Sequence, residues 1–209
     1  MRAADGYHRA MALPDQYLRY MSRDEVNSLP VGRYEGPVTV VESRAALERA
    51  QADLRGEADV GWDTETRPSF AKGEWHPPAL LQAAGARAVH LFRLQRLDCA
   101  PAVRELFGAA QSVKAGISVK DDLRALEGTM PGLEARAVVD LGQVARRAGL
   151  EQTGLRNLAA IFLGVRLPKG TKTTNWAASR LSPMQVSYAA TDAWACRQLY
   201  LRFRELGMS

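Results

Sequence analysis

Apolar and polar positions follow different periods along the chain, and each period predicts a type of element. Short apolar or β-branched runs predict six strands: PVTVVES, ADVGWDTE, PALLQAAG, RAVHLFRL, SVKAGIS and ARAVVDL. Apolar residues at helical spacing predict helices over RAALERAQADL, APAVRELFGAA, KDDLRALEG and TGLRNLAAIFLG. Adjacent strands come first, and alternating helices and strands follow. We therefore expect an α/β fold in a single domain, with a mixed sheet flanked by helices.

Two helix ends carry their own signals. The last helix is the clearest: Ser182 is a candidate N-cap, Pro183 suits the first helical position, and Gln185 completes a capping box. We expect it to run to about residue 206, where Gly207 stops it. The helix KDDLRALEG is expected to end at Gly128.

The first part of the chain lacks this regularity. Prolines and glycines punctuate residues 1–36, and the segment DQYLRYMSRDEVNSL predicts one or two short helices. We interpret residues 1–36 as an N-terminal extension and residues 37–209 as the functional domain. A length of 209 residues suits one well-packed domain with such an extension.

Composition limits the function only loosely. The net charge of +5 is compatible with a polyanionic partner but decides little by itself. No apolar run approaches membrane-spanning length, and the N-terminus lacks the apolar core of a secretion signal. Cys99 and Cys196 form no metal or redox motif, so a reduced environment is the simpler interpretation. These features favour a cytoplasmic protein without membrane contact.

The strand ADVGWDTE ends on two acidic residues. Asp63 and Glu65 are two positions apart, so their side chains project from the same face of the strand. Two carboxylates placed so closely repel each other unless they are protonated or bridged by a cation. A solvated strand edge is the simplest alternative, but the preceding residues are apolar, which places this end against the core.

The last helix carries a second acidic position. Tyr188 and Asp192 are four residues apart and share one helix face. Ala189, Ala190 and Ala193 surround them, and such small residues let a helix approach another element closely. A surface aspartate beside a packed tyrosine is the alternative.

A third acidic position, Asp122, follows Asp121 at the start of a predicted helix. By itself it is better explained as a residue that caps the helix or favours the helix dipole. Oxygen ligands suit magnesium and manganese, so the scattered carboxylates together indicate a metal-dependent phosphodiester hydrolase.

The three segments resemble, in order and context, the motifs of one exonuclease superfamily. DTE resembles its first motif, KAGISVKDDLRAL its second with the second Asp aligned, and YAATDAW its third in the form with a Tyr before the Asp. The chain is thus similar to ribonuclease D-like 3′–5′ exonucleases of the DEDDy type, including the exonuclease domain of the Werner syndrome helicase. The resemblance covers about residues 38–206, and NWAASRLSP also resembles the family.

The resemblance implies a ribonuclease H-like fold and release of nucleoside 5′-monophosphates from the 3′ end of DNA or RNA. It implies two divalent cations, Mg²⁺ or Mn²⁺, about 3.5–4 Å apart. Asp63 would bridge both ions, and Glu65 and Asp192 would complete the site of one of them. Asp122 would hold the second ion through water, and Tyr188 would orient the attacking water.

Four further residues are candidates for substrate contact: Thr64, Lys172, Trp176 and Arg180. Lys169, Lys172 and Arg180 offer point charges to a nucleic-acid backbone, although a solvated loop explains them equally well. Trp176 offers a stacking surface for a base, but a core anchor before the last helix is the better interpretation.

Two other classes of protein remain open. One is a catalytically inactive nucleic-acid-binding module on the same fold, and the other is an interaction protein whose acids only cap helices. All five motif positions are filled, which argues against decay. Metal dependence separates the three. RNA versus DNA, single strands versus duplex ends, and the oligomeric state are left undecided.

Overall fold

The computed structural model describes residues 13–71, 73–170 and 174–208. Its strands are β1 Val38–Val41, β2 Asp59–Thr66, β3 Pro78–Ala84, β4 Val89–Arg93, β5 Val113–Gly116 and β6 Val138–Asp140. Its α-helices are α1 Arg23–Ser28, α2 Arg44–Leu54, α3 Ala100–Gly108, α4 Lys120–Thr129, α5 Leu141–Arg147, α6 Leu155–Leu163 and α7 Pro183–Glu205. The predicted strands and helices are therefore confirmed within these residues.

The two predicted helix ends differ in outcome. In α7, Ser182 and Gln185 form the expected capping box, and Gly207 follows the helix with a φ of +69°. The prediction that α4 ends at Gly128 is wrong, because α4 continues to Thr129 and Gly128 lies inside it. A glycine weakens a helix without stopping it when the residues around it keep helical hydrogen bonds.

The six strands form one mixed sheet in the order β1-β4-β3-β2-β5-β6, which confirms the predicted fold class. β2, β3 and β4 form an antiparallel meander, whereas β1 joins β4, and β5 joins β2 and β6, in parallel. β5 pairs only with the first part of β2, from Asp59 to Gly61. The second part of β2 thus has a strand partner on one side only, and an open place is left beside it.

The two faces of the sheet are covered by different helices. Trp62 of β2 packs on the α2–α4 side, where its ring meets Phe107 edge-on at 4.9 Å. Gly61, Asp63 and Glu65 lie on the opposite face because side chains alternate along a strand. That face is covered by α7.

Helix α7 lies unusually close to β2. A Cβ atom at Gly61 would collide with the backbone of Ala193 and Arg197. Ala189, Ala190 and Ala193 are fully buried in the same cluster, so the predicted close approach of this helix is confirmed. The approach brings the middle of α7 directly over the strand that carries the first acidic pair.

The first described residues pack on the domain. Tyr17 is buried and stacks on Phe162 of α6, with ring centroids 4.9 Å apart. The backbone of Met21 exchanges two hydrogen bonds with the Gln152 side chain. A short turn at Asp15–Tyr17 and helix α1 match the one or two short helices expected here. The boundary between residues 36 and 37 stays a prediction.

Two further expectations concern location. In the described part of the chain, no helix combines the length and apolarity that crossing a membrane requires. Cys99 and Cys196 are both free and buried.

Candidate active site

The five motif residues come from three elements. Asp63 and Glu65 lie in the second part of β2, Asp122 in the first turn of α4, and Tyr188 and Asp192 in α7. Asp63, Tyr188 and Asp192 line one cavity of about 450 Å³. Glu65 and Asp122 are close enough for their charges to act on Asp63. The structure therefore brings the predicted set together beside the open part of β2.

Burial and mutual repulsion dominate the electrostatics of the carboxylates. Burial, and then the charges of Asp192, Asp122 and Glu65, raise the pKa of Asp63 well above its usual range. Burial followed by the charges of Asp192 and Asp122 raises the pKa of Glu65 to about 8. Burial also raises the pKa of Asp192, which is 7% exposed, to about 6. The fold concentrates negative charge here at a cost in free energy.

The neighbouring acids at the start of α4 have different surroundings. The Thr64 hydroxyl donates a hydrogen bond to Asp122, and burial raises the pKa of this carboxyl. Asp121 is exposed and pairs with Arg124 at 3.0 Å. Only the second acid of the motif thus faces β2. Thr64, predicted as a substrate contact, acts in this structure as a hydrogen-bond donor that positions Asp122.

The turn between β5 and α4 is held by Asp140, a residue that the sequence analysis did not identify. Ser118 adopts a φ of +55°, which is uncommon for a residue other than glycine. Its backbone N–H donates to Asp140 Oδ1 at 3.2 Å. The same oxygen accepts from Gln143 N at 3.2 Å and so caps α5. Asp140, the last residue of β6, therefore links the turn after β5 to the start of α5. This link fixes the turn that leads into α4.

The Tyr188 ring lies between α7 and the preceding loop. Its hydroxyl hydrogen-bonds Asp192, and burial, followed by the charge of Asp192, raises its pKa. Gly170 packs directly on the ring, since a Cβ atom there would approach Tyr188 Cζ to 2.7 Å. The Trp176 ring lies 6.1 Å from it at a tilt. The phenol is therefore held in place and stays protonated at neutral pH.

The side chains around Asp63 can be compared with the ligands that a metal ion requires. Among residues 13–71, 73–170 and 174–208, no group of three or more His, Cys, Asp or Glu side chains has the arrangement that would hold a metal ion. However, the nearby charges acting on Asp63 and Glu65 are all carboxylates, and these groups offer only oxygen atoms. Oxygen donors with excess negative charge suit a hard divalent cation. The residues thus fit such a cation, and the division of ligands between ions stays a prediction.

Two residues at the cavity were missed by the sequence reasoning. Arg156 lines it from the start of α6, its positive charge lowers the pKa of Asp192, and it donates to the Pro168 carbonyl at 2.9 Å. A basic residue in the first turn of a helix opposes the helix dipole, which is a signal that could have identified it. Cys196 lies one turn beyond Asp192, and burial raises the pKa of its thiol.

Trp176 and Arg180, two of the other candidates for substrate contact, do not line the carboxylate cavity. Trp176 is 5% exposed in the core, which fits a core anchor and leaves little ring surface for a base. Arg180 is exposed and does not line the cavity. Lys172 lies outside the described residues. Substrate contacts by Lys172, Trp176 and Arg180 stay predictions.

Comparison with known proteins supports the resemblance. A family model described as 3′–5′ exonuclease matches residues 38–207. A 3′–5′ exonuclease of Arabidopsis thaliana is 28% identical over 95% of this chain and 74% of its own length. A ribonuclease D of Haemophilus influenzae is 41% identical, over 31% of this chain and 16% of its own length. The chain therefore corresponds to a large part of some relatives and a small part of others.

Solved structures share the fold. The Nibbler EXO domain of Aedes aegypti superposes with a TM-score of 0.75 at 20% identity, over 84% of this chain and 92% of that domain. Escherichia coli RNase D gives 0.72 at 18% identity, over 80% of this chain and 44% of that one. A Trypanosoma brucei RNase D in complex with RNA U12 gives 0.69 at 19%, over 82% and 63%. These neighbours confirm a ribonuclease H-like sheet flanked by helices.

Proposed function

Because the chain belongs to the 3′–5′ exonuclease family of the RNase D and DNA polymerase I type, we propose that it hydrolyses phosphodiester bonds from 3′ ends. The products would be nucleoside 5′-monophosphates. One observation carries the proposal: carboxylates from β2, α4 and α7 converge on Asp63, beside a cavity that also contains a hydrogen-bonded tyrosine. Such a cluster has no structural benefit, since it costs folding free energy.

Exonucleases of this family generally use divalent metal ions, and we propose two, Mg²⁺ or Mn²⁺. Asp63 would contact both, because the other three carboxylates all act on it. Glu65 and Asp192 would share one ion, and Asp122, held by Thr64, would serve the other through water. When bound, such a pair lowers the pKa of water and stabilises the attacking and leaving oxygens of an in-line displacement.

Tyr188 would position the attacking water. Its hydroxyl hydrogen-bonds Asp192, and burial raises its pKa. Gly170 and Trp176 restrict the ring, so the hydroxyl occupies a defined place next to the cavity. A positioned donor of this kind contributes by orientation, which is a large part of rate acceleration.

Arg156 would bind a phosphate oxygen of the substrate. It is the sole Lys or Arg among the described residues that line the cavity. The Pro168 carbonyl accepts a hydrogen bond from one of its guanidinium nitrogens and thereby fixes the side chain. A guanidinium has further donors, and phosphate is a favoured partner for it.

Nucleic acid is the proposed partner. RNA is supported as a substrate because a neighbouring RNase D was solved with RNA U12. DNA stays open as a substrate, since the choice depends on recognition of the 2′-hydroxyl. A cytoplasmic location is part of the proposal as well. A catalytically inactive binding module on this fold is the alternative, and the complete set of five motif residues argues against it.

The test is a nuclease assay on single-stranded DNA and RNA, labelled at the 3′ or the 5′ end. With Mg²⁺ or Mn²⁺, we expect the 3′ label to appear as a mononucleotide from the first turnover, and the 5′ label to shorten stepwise. EDTA should stop both. Asp122→Ala should lose activity, whereas Asp121→Ala, one exposed residue earlier, should keep it. Binding of the oligonucleotides without any release would instead identify the inactive module.

A further inference from the structure

A second groove adjoins the cavity. It has a volume of about 730 Å³, within the range of pockets that hold ligands, and its described lining residues come mainly from 168–170, 174–182 and the start of α7. Tyr188 lines both the groove and the carboxylate cavity, so the two spaces meet at this ring. The groove therefore begins at a residue of the proposed catalytic set.

The groove is positively charged. Two cations line it, Lys169 from the loop and Arg33 from the N-terminal extension, and no acidic residue is found among its described lining residues. Within the part of the chain that the structure describes, no ion pair engages either cation. Arg33 is exposed, so its charge is accessible to a ligand. The carboxylate cavity and the groove thus differ in sign.

The backbone on both sides of Arg33 is fixed. Gly32 N donates to the Arg166 carbonyl at 3.1 Å, and Arg166 N donates to the Pro30 carbonyl at 2.8 Å. Tyr34 N donates to Thr191 Oγ1 at 3.1 Å. Thr191 directly precedes Asp192 on α7, so this part of the extension is attached to the helix that carries the site.

A side chain at Gly32 would not fit. A Cβ atom there would approach the Val165 side chain to 2.7 Å. The glycine therefore lets the extension lie flat against the loop that follows α6, with the next residue at the groove. The family model begins at residue 38, so Arg33 lies outside the region that matches it.

We propose that the N-terminal extension forms part of the substrate site, with Arg33 and Lys169 binding backbone phosphates of a single strand whose 3′ end lies at the carboxylates. This inference rests on the proposed function and names a contact specific to this chain. A single strand fits because the described lining residues offer two cations for phosphates and, beside them, apolar side chains such as Pro183 and Met184 for unpaired bases.

The binding test uses the full chain in EDTA, so that no turnover occurs. Kd for a 5′-fluorescein single-stranded 12-mer is measured by anisotropy at several salt concentrations. Arg33→Ala should weaken binding by about three- to tenfold and reduce the salt slope by about 0.7 for each phosphate that is no longer neutralised. Arg33→Glu should weaken it further. Arg23→Ala is the matched control, since Arg23 is an exposed arginine of the same extension that does not line the groove.

The activity test compares two substrates with Mn²⁺ present. One is the 12-mer, and the other is the p-nitrophenyl ester of thymidine 5′-monophosphate, which contains only the reacting phosphate and no further backbone phosphate for Arg33 to bind. The ratio of kcat/KM for the 12-mer to that for the ester should fall by about three- to tenfold in Arg33→Ala and stay constant in Arg23→Ala.

Equal binding by wild type and Arg33→Ala, or equal losses in Arg33→Ala and Arg23→Ala, would overturn the inference. An equal fall for both substrates would also overturn it, since that pattern indicates local damage to the site. Failure of the wild type to hydrolyse either substrate would reject the proposed function, while the binding measurement would still decide the role of Arg33.

Discussion

The start and the second half of β2 each carry a shielded aspartate, and the charged partners of the two aspartates are opposite in sign. Asp59, at the start of the strand, is 7% exposed and receives hydrogen bonds from Arg204 on both carboxylate oxygens at 3.0 Å. Asp63, four residues later, is surrounded by further acids that raise its pKa. The same strand and the same helix α7 thus build one neutralised carboxylate and one cluster of unneutralised ones. The difference shows that the C-terminal part of α7 attaches to β2 through Arg204, whereas an earlier part of α7 contributes Asp192 to the acidic cluster.

The largest expected effect comes from Asp63→Asn. The change keeps the size of the side chain and removes a charge, so kcat/KM should fall by about a hundredfold or more. The free energy of unfolding in EDTA should stay the same or increase, because one member of a repulsive group is gone. Initial rates with Mn²⁺ and urea denaturation provide the two readouts. A clear loss of stability would contradict the assignment of Asp63 as an unneutralised acid.

The second prediction concerns Gly61, which lies midway between Asp59 and Asp63 on β2. Gly61→Ala places a methyl group against the backbone of Ala193, so α7 must shift away from β2. We expect a loss of about 1–3 kcal/mol in unfolding free energy and a marked fall in activity, because Asp192 moves with the helix. Gly108→Ala is the control, since open space surrounds that position in α3. Wild-type stability and rate in Gly61→Ala would show that the close approach is dispensable.

The third prediction concerns Asp59→Asn, which removes the charge of the neutralised aspartate at the start of β2. It leaves Arg204 without its charged partner and should cost about 1–2 kcal/mol, a value reduced because the Arg204 side chain is half exposed. The exonuclease rate of the folded protein should remain near that of the wild type. Urea denaturation and initial rates test both parts, and a hundredfold loss of rate would place Asp59 in the site.

The last prediction concerns the pH dependence of stability without metal. The pKa of Glu65 lies near its ordinary value of 4.5 in the unfolded chain and at about 8 in the folded protein. The folded state therefore binds more protons in this interval, and stability should fall as pH rises from about 4.5 to 8. Urea midpoints in EDTA across this interval measure the slope. Glu65→Gln should reduce the slope without abolishing it, because the pKa values of Asp63 and Asp192 are raised as well; an unchanged slope in that variant would assign the effect to these other groups.

Much of the fold was accessible from local patterns. The strands and helices followed from periodicity, and the ends of α7 followed from its capping residues, because both depend on neighbours in sequence. Gly128 shows where local patterns fail: a glycine was expected to end α4, but the helix includes Gly128 and ends at Thr129. The five motif residues were named in advance through the resemblance of three segments to one family, and the structure brings them together; their catalytic roles stay predictions.

The residues that were missed depend on contacts between distant segments. Arg156 is an ordinary basic residue until α6 is placed beside Asp192. Asp140 serves two loops at once, and Arg33 becomes part of a groove only after the extension attaches to Thr191. In each case the partner lies far away in the chain, so local propensity carries no information about it.

The amino-acid sequence by itself determined the order of elements, the acidic motifs and the small residues that allow α7 to approach β2. The repulsion between Asp63 and Glu65 was expected from their spacing, but the arginine that neutralises Asp59 follows only from tertiary packing. The reason is that charge interactions depend on distance and burial in three dimensions: Asp59 and Asp63 are alike in sequence, and only packing gives one an arginine and the other a ring of acids.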